Sequence, residues 1–593
     1  MVIDRTTKLR FRRRLRRSQQ QIEGIGVATE ENLERHFFRR LGRLYGVRRF
    51  LVAWTLLILL LISGVVVQAR ALAHYYQSPA PAGGGIYSEG IIGSFTDANP
   101  LYATGDVDSS VARLLFSGLL KYDQNNQLTG DLAKSWTVDE TGKVYTVNLR
   151  QDVKWHDGKP FTAADVIFTY KTIQNPDALS PLFGNWQGIT VTAPADYVVT
   201  FKLPTVLASF PYALTNGIVP KHILKDVPVS NLRSSSFNTS QPVGTGPFKW
   251  ETVEVSGDKL ENRQQRIGLL PNQQYYGGEP KLSQFIIHTF LDEKALETSF
   301  HDNQLTAIAG DDNLSSSVES GSNVNVYNVP YTSAVMVFFR TTGPILSDQK
   351  VRQGLEQGTA TLDIIKSLQY PSLVVDEPFL RGQLGYDPAM RQLPYDPAAA
   401  NALLDAAGWP RVAGGNRYKD GKPLSINIYA LSNPEFATVI EQLQKQWAAL
   451  GVELVSNQLS GSDLQGVIKS SAYDSLLYGI SIGSDPDVFP FWDSQANTLL
   501  QKRLNFSDYN DKQADTALEA GRTRLDPSLR AVKYQPFLAA WRADVPAIAL
   551  YQPRFLYVTK GPVFNFAPHR LNSAVDRYAN VQEWEIRTEK TTK

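Results

Sequence analysis

Gly479-Ile480-Ser481-Ile482-Gly483 spells G-x-S-x-G, the pattern in which a serine on a sharp strand-to-helix turn serves as the nucleophile of an α/β hydrolase. Several aspartates and His569 follow, so the chain order Ser…Asp…His is available. The elbow, however, requires a helix that starts right after the serine. Pro486 would fall in the early turns of that helix and Pro490 follows, and each proline removes a backbone donor and clashes with the preceding turn. Catalysis by Ser481 is kept only as an alternative. Metal chemistry has less support still. The seven histidines, at 36, 74, 156, 222, 288, 301 and 569, are scattered, with no pair at ligand spacing. The cysteine count is zero, which excludes thiolate ligands, cysteine nucleophiles and disulfides. No metal and no other cofactor is expected. What the region around Ser481 does offer is a place to bind. Ser481, Ser484, Asp485 and Asp487 bring hydroxyls and carboxylates interleaved with backbone amides, and Phe489, Phe491 and Trp492 follow. Ordinary turn residues on a surface loop have much the same composition.

The elements around this loop give it a position. Asp396-Pro397 starts a helix, with an aspartate cap and a proline in the first turn, and Gly408 ends it. Leu424–Ala430 alternates as a strand. Asn433-Pro434 opens a second helix with Phe436, Val439, Ile440, Leu443, Trp447 and Leu450 on one stripe, closed by Gly451. Val452–Leu459 reads as a strand, Asp463–Ser470 as a short helix and Tyr473–Ile480 as a third strand. This βαβαβ order predicts a largely parallel open sheet covered by helices. Ligands of such sheets bind beyond the carboxyl ends of the strands, which is where residues 481–487 fall.

Earlier segments read as strands and turns. Ser135–Val138 and Val144–Arg150 alternate and are joined by Asp139-Glu140-Thr141-Gly142-Lys143, a hairpin. After the Asp157-Gly158 turn, Thr162 caps a helix with Asp165 at the third position, and Phe161 can pack on Val166. His156 beside that turn reads as a hydrogen-bonded structural histidine.

The chain has 593 residues, of which 42% are hydrophobic and 20% charged. At about 150 residues per domain, that length suggests about three or four folding units. The net charge of +2 hides an asymmetry. Residues 1–49 hold 14 Lys and Arg against 5 Asp and Glu, leaving 46 basic and 53 acidic in the remainder. Phe50–Val67 follows as 18 residues without a charge, about 27 Å of helix and near the lower limit for a bilayer span. The positive-inside rule puts the arginine-rich head in the cytoplasm and everything past about residue 70 outside. The head then needs no nucleic acid to explain it: it sets topology and attracts anionic lipid headgroups. Ala71-Leu72-Ala73 and Ala69-Arg70-Ala71 resemble signal-peptidase sites, but the segment before the apolar run is far longer than a signal n-region, so an uncleaved anchor in membrane lipid is expected. Tyr76–Gly85, rich in proline and glycine, reads as a linker, and the polar Thr588–Lys593 stretch as a frayed end.

Several segments together resemble the extracytoplasmic substrate-binding proteins of peptide ABC importers, the family 5 dipeptide and oligopeptide receptors. They are LLFSGLLKYD (114–123), LAKSWTVDETGKVYTVNLRQDVKWHDGKPFTAADVIFTY (132–170), VGTGPFKW (243–250), NQQYYGGEPKL (272–282), VRQGL (351–355), YDPAAANALLDAAGW (395–409) and SDPDVFPFWDS (484–494). They run in the family's order across residues 86–580. The resemblance implies an α/β, two-lobed periplasmic-binding-protein fold, hinged near Val329–Ala334 and Ile548–Tyr551. It implies a first lobe at 86–333 joined by 549–583, a second lobe at 334–548, and a polar tail at 584–593. Before them come a cytoplasmic segment at 1–49, a transmembrane helix at 50–67 and a linker at 68–85. The function implied is capture without chemistry: a peptide or similar small solute held between the lobes and delivered to permease subunits. The family pairs with its ligand's backbone as an added strand, so main-chain bonds give affinity and pockets give selectivity. Asn99 and Tyr102, in a segment matching the family's cleft-facing wall, and Ser481, Ser484, Asp485, Asp487 and Trp492 opposite, are the expected ligand contacts. One departure stands out. Peptide-binding members carry an aspartate just before the Asp-Pro-Asp, which holds the ligand's α-ammonium. Here Ser481 and Ile482 stand there and the loop is a residue shorter. Either Asp485 or Asp487 takes over that role, or the ligand has no free amine. A ligand sensor is a further alternative, although the head is too short for a recognisable kinase or cyclase domain.

Overall fold

The computed structural model describes residues 48–592, apart from 258, 260–262, 311–313, 320, 322, 413–414, 501 and 567–569. The chain divides into two compact units, Met1–Ala80 with Thr588–Lys593, and Pro81–Arg587. In the first, a helix runs Arg48–Tyr76, and its Arg49–Arg70 stretch is long and apolar enough to cross a membrane. The basic head up to residue 47 lies outside the described residues. The helix outruns the apolar segment and takes up the start of the expected linker, because Gln68–His74 contains good helix formers and no Gly or Pro. The strands Gln77–Ala82 and Arg587–Thr592 pair, so the C-terminal residues expected to fray are strand instead.

The second unit holds two large sheets. The first has seven strands in the order Val324–Pro330, Arg554–Lys560, Ala307–Ala309, Ile86–Ile92, Gln284–Phe290, Gln264–Pro271 and Phe248–Ser256. Ile86–Ile92 runs parallel to both of its neighbours. A smaller four-stranded sheet carries the hairpin Ala133–Val138 and Val144–Leu149. The helix Ala163–Ile173 packs beside it and begins with the capping box of Thr162 and Asp165.

The other large sheet has six strands in the order Leu373–Val374, Ala547–Gln552, Ser333–Phe339, Ser475–Ser481, Ser425–Leu431 and Glu453–Leu459. The βαβαβ reading holds for the last three, which run parallel. Ser333–Phe339 and its partner Ala547–Gln552 are antiparallel, so the sheet is mixed rather than largely parallel. Ser333–Phe339 arrives from the other sheet and runs against the trio, whereas Ala547–Gln552 runs with the trio and leads back to that sheet. Helix Pro434–Ala449 is capped by Asn433 and buries Phe436, Val439, Ile440, Leu443 and Trp447. Removing these five side chains from water contributes roughly 8–15 kcal/mol before chain entropy is counted.

The sheets are joined by two crossings. Val324–Pro330 passes through Tyr331-Thr332 into Ser333–Phe339, and Ala547–Gln552 passes through Pro553 into Arg554–Lys560. The crossings hold one another: Tyr331 N donates to Pro553 O at 2.9 Å, and Gln552 Nε2 donates to Tyr331 O at 2.7 Å. Trp584, placed in the tail by the sequence reading, has no exposed surface and packs on Tyr87 and Phe566. Its indole belongs to the first core.

Candidate functional site

In the first sheet the parallel strands end at Ile92, Phe290 and Ala309, and a crevice of about 320 Å³ opens just beyond them. Its walls include Asp106, Ser110, Glu293, Gly310, Tyr331 and Arg554. Asp106 and Glu293 are exposed at the starts of their helices. Arg554 bonds Asn328 and lies 3.9 Å from the Tyr370 ring centroid. Beneath Ser110 sits a buried pillar. Arg577 Nη2 donates to Glu89 Oε1 at 2.5 Å and to Ser110 Oγ at 3.1 Å, and the hydroxyls of Tyr557 and Tyr578 also donate to Glu89. These charges satisfy each other and tie the C-terminal segment to the first strand.

The loop after Ser475–Ser481 meets the crossing beside this crevice. Ile482 N and Gly483 N both donate to Thr332 O at 3.0 Å, with Gly483 at φ +79°, a conformation that glycine adopts without strain. Two of the loop's backbone amides, expected to face a ligand, are thus spent on the crossing. Ser484 Oγ lies 3.0 Å from Asn572 Oδ1 and 3.2 Å from Asn126 O. Thr332 Oγ1 donates to the same Asn572 oxygen at 2.6 Å, so Ser484 helps bind the second lobe to the first.

The carboxylates of the loop are also engaged. Asp485 accepts two bonds from Arg530, each at 2.5 Å, with side chains only 9% and 5% exposed. Burial pushes the Asp485 carboxyl up and the guanidinium opposes this. Tyr122, Tyr145 and Tyr212 of the first lobe feel that charge. Burial raises their hydroxyls first, and Asp485 adds to it. Asp487 Oδ2 accepts from Arg522 Nη2 at 3.1 Å and from Ser209 Oγ of the first lobe at 3.0 Å. Ala208 N donates to Arg522 O at 2.9 Å. The lobes therefore touch at a second place, away from the crossings.

Three expected contacts are placed elsewhere. Trp492 has no exposed surface; it stacks on Phe338 and meets Trp541 edge-on, so here it is core, because the Phe489–Trp492 turn folds its indole beneath the sheet. Asn99 is fully buried and braces its own loop, taking Leu101 N at 3.0 Å and giving Nδ2 to Asn238 at 3.0 Å. Tyr102 is 4% exposed, its hydroxyl pushed up to about 12 by burial. Ser481 alone among the residues named on this loop presents an exposed side chain. No elbow forms around it: the chain continues through residues 482–488 without helix, and the next helical turn is Phe489–Trp492. His569 lies outside the described residues.

Sequence reasoning missed Arg530, Arg522, Asn126 and Asn572. Arg530 is 45 positions from its partner and sits in a helix where arginine is unremarkable. His156 carried a readable signal as a structural residue. It takes Gly244 N and meets Gly246 O, and burial lowers it to about 4.

Two sheets joined by two strand crossings, with a crevice beyond the parallel strand ends of the first, fit the architecture of a solute-binding protein. The chain belongs to the bacterial extracellular solute-binding proteins, family 5, whose family model matches residues 127–498. The oligopeptide-binding protein AppA of Bacillus subtilis is 27% identical over 490 residues, which cover 80% of this chain and 87% of the relative. The AppA structure in complex with a nonapeptide has a TM-score of 0.69 at 25% identity, covering 86% of this chain and 100% of that one. NikZ from Campylobacter jejuni, solved in complex with Ni(L-His), has a TM-score of 0.71 at 28% identity, covering 84% and 99%.

Proposed function

We propose that this chain is a membrane-anchored receptor of an ABC importer that takes a peptide-like solute between lobes at 86–333 with 549–583 and 334–548, and hands it to the permease. The observation that carries this reading is the crevice beyond the parallel strand ends, bordered by the crossing against which the second lobe's loop is held. Its volume of about 320 Å³ is at the lower end for small-molecule sites. The likeness to AppA supports a peptide. The ligand acts by preferring the closed arrangement, since only differential affinity shifts such an equilibrium. The apolar stretch Arg49–Arg70 serves as the anchor in lipid, with the arginine-rich head inside.

Mass spectrometry of solutes carried by the purified chain tests the first part. Short peptides are expected, and a consistent non-peptide occupant would overturn it. N-terminal sequencing of the membrane-bound form tests the second, since a start at His74 would mean a cleaved signal.

A further inference from the structure

A second cavity, of about 490 Å³, lies beside the edge strand Leu373–Val374 of the second lobe and shares no lining residue with the crevice. Helix Thr361–Ser367 and the segment ending at Tyr395 form its other walls. Its volume is ordinary for a small-molecule site, and so is its make-up of apolar walls with a few charged groups. Leu362 and Tyr395 keep 61% and 53% of their surface in solvent on those walls, so an apolar body laid against them gains by leaving water.

The charges are arranged for an anion. Asp376, with its side chain 10% exposed, takes Arg381 Nη2 at 2.6 Å and faces Arg391 Nε at 4.0 Å. One carboxylate cannot neutralise two guanidiniums. Arg391 Nε donates to Pro388 O at 2.9 Å, and its two terminal amino groups have no acceptor among the described residues. Lys366 is matched by Asp363 at 3.0 Å, so the lining holds three cations against two carboxylates. The loop carrying both arginines is pinned to the sheet. Gln392 N donates to Asp376 O at 2.7 Å, and the Gln392 amide exchanges bonds of 2.9 and 3.0 Å with Ala549. Donors fixed in advance lose less freedom on binding than mobile ones.

We propose that this cavity is a second binding site, separate from the crevice, for a small organic anion with a flat apolar body, an aryl carboxylate being the simplest case. Arg391 and Arg381 hold the carboxylate, for which their planar forks are suited, and Tyr395 and Leu362 cover the body.

The experiment titrates the full chain in detergent with 4-fluorobenzoate and with its neutral isostere 4-fluorobenzamide. Fluorine NMR line broadening is read against micelles without protein. The expected Kd for the benzoate is on the order of 1 mM, with the benzamide at least about fivefold weaker, the worth of one partly exposed ion pair. Arg391→Gln should abolish that preference with Tm within about 2 °C of wild type, whereas Lys445→Gln, an exposed cation outside the cavity, should keep it. Equal broadening of the two probes, no benzoate binding at about 10 mM, a preference that survives in Arg391→Gln, or one lost equally in Lys445→Gln would each overturn the proposal.

Discussion

Replacing Asp485 by asparagine keeps the shape of the side chain and removes its charge. Arg530 is then left nearly buried opposite a neutral amide, with its side chain 5% exposed. Breaking one partner of such a pair costs about 3–5 kcal/mol. For a cooperative unit of 150–250 residues, where Tm moves about 2–4 °C per kcal/mol, that is a fall of about 6–20 °C. Arg530→Met should cost a similar amount at neutral pH, but with a different pH dependence. Burial is the largest influence on the Asp485 carboxyl and raises it, while Arg530 opposes this. Without Arg530, the folded state holds the proton more tightly than the unfolded chain does, so stability falls as pH rises, and the deficit should shrink from pH 7 to pH 5. The double variant Asp485→Leu/Arg530→Met places an apolar pair in the same space and should recover most of the loss, since such replacements are often neutral or better. Scanning calorimetry of wild type, Asp485→Leu, Arg530→Met and the double variant, with near-ultraviolet circular dichroism to follow the Trp492 and Trp541 layer, gives the cycle. A coupling below about 1 kcal/mol, together with loss of ligand binding in Asp485→Asn, would refute the reasoning and return Asp485 to the ligand.

Two further outcomes follow from other groups. Burial pushes the Glu356 and Glu377 carboxyls up to about 8, so the folded protein keeps protons that the unfolded chain releases near 4.5. Stability should therefore fall as pH rises from about 5 to 8, with Glu356→Gln flattening the slope while matching wild type at pH 5; an undiminished slope in calorimetry would count against it. Asp487→Ala severs Arg522 and Ser209 from one another, which should open the lobes. Ligand affinity is expected to drop about 5–30-fold, with a larger radius of gyration in small-angle scattering. Unchanged scattering would mean the second contact between the lobes holds nothing closed.

How much was legible follows from the range of each interaction. Caps and hairpins are local, so Asn433 before Phe436, the Thr162–Asp165 box and the turn organised by Asp139 could be read from residues three to five apart. The parallel trio of strands was legible because its helices separate it at the expected spacing. The antiparallel strands beside it were not, since nothing within Ser333–Phe339 says that it pairs with residues about 140 positions on.

The site failed for a related reason. Ligand contacts were sought among small polar and acidic residues in a loop, and a two-lobed protein needs those same residue types to hold its halves together. Asp485, Asp487 and Ser484 have the composition of a binding wall, yet each already has a partner within the chain: Arg530, Arg522 and Asn572. What separates strut from receptor is whether a distant arginine or asparagine reaches the group first, and that is a property of the fold. Residue type therefore located the junction, since the loop does lie against the crossing through Thr332. It could not divide the labour there.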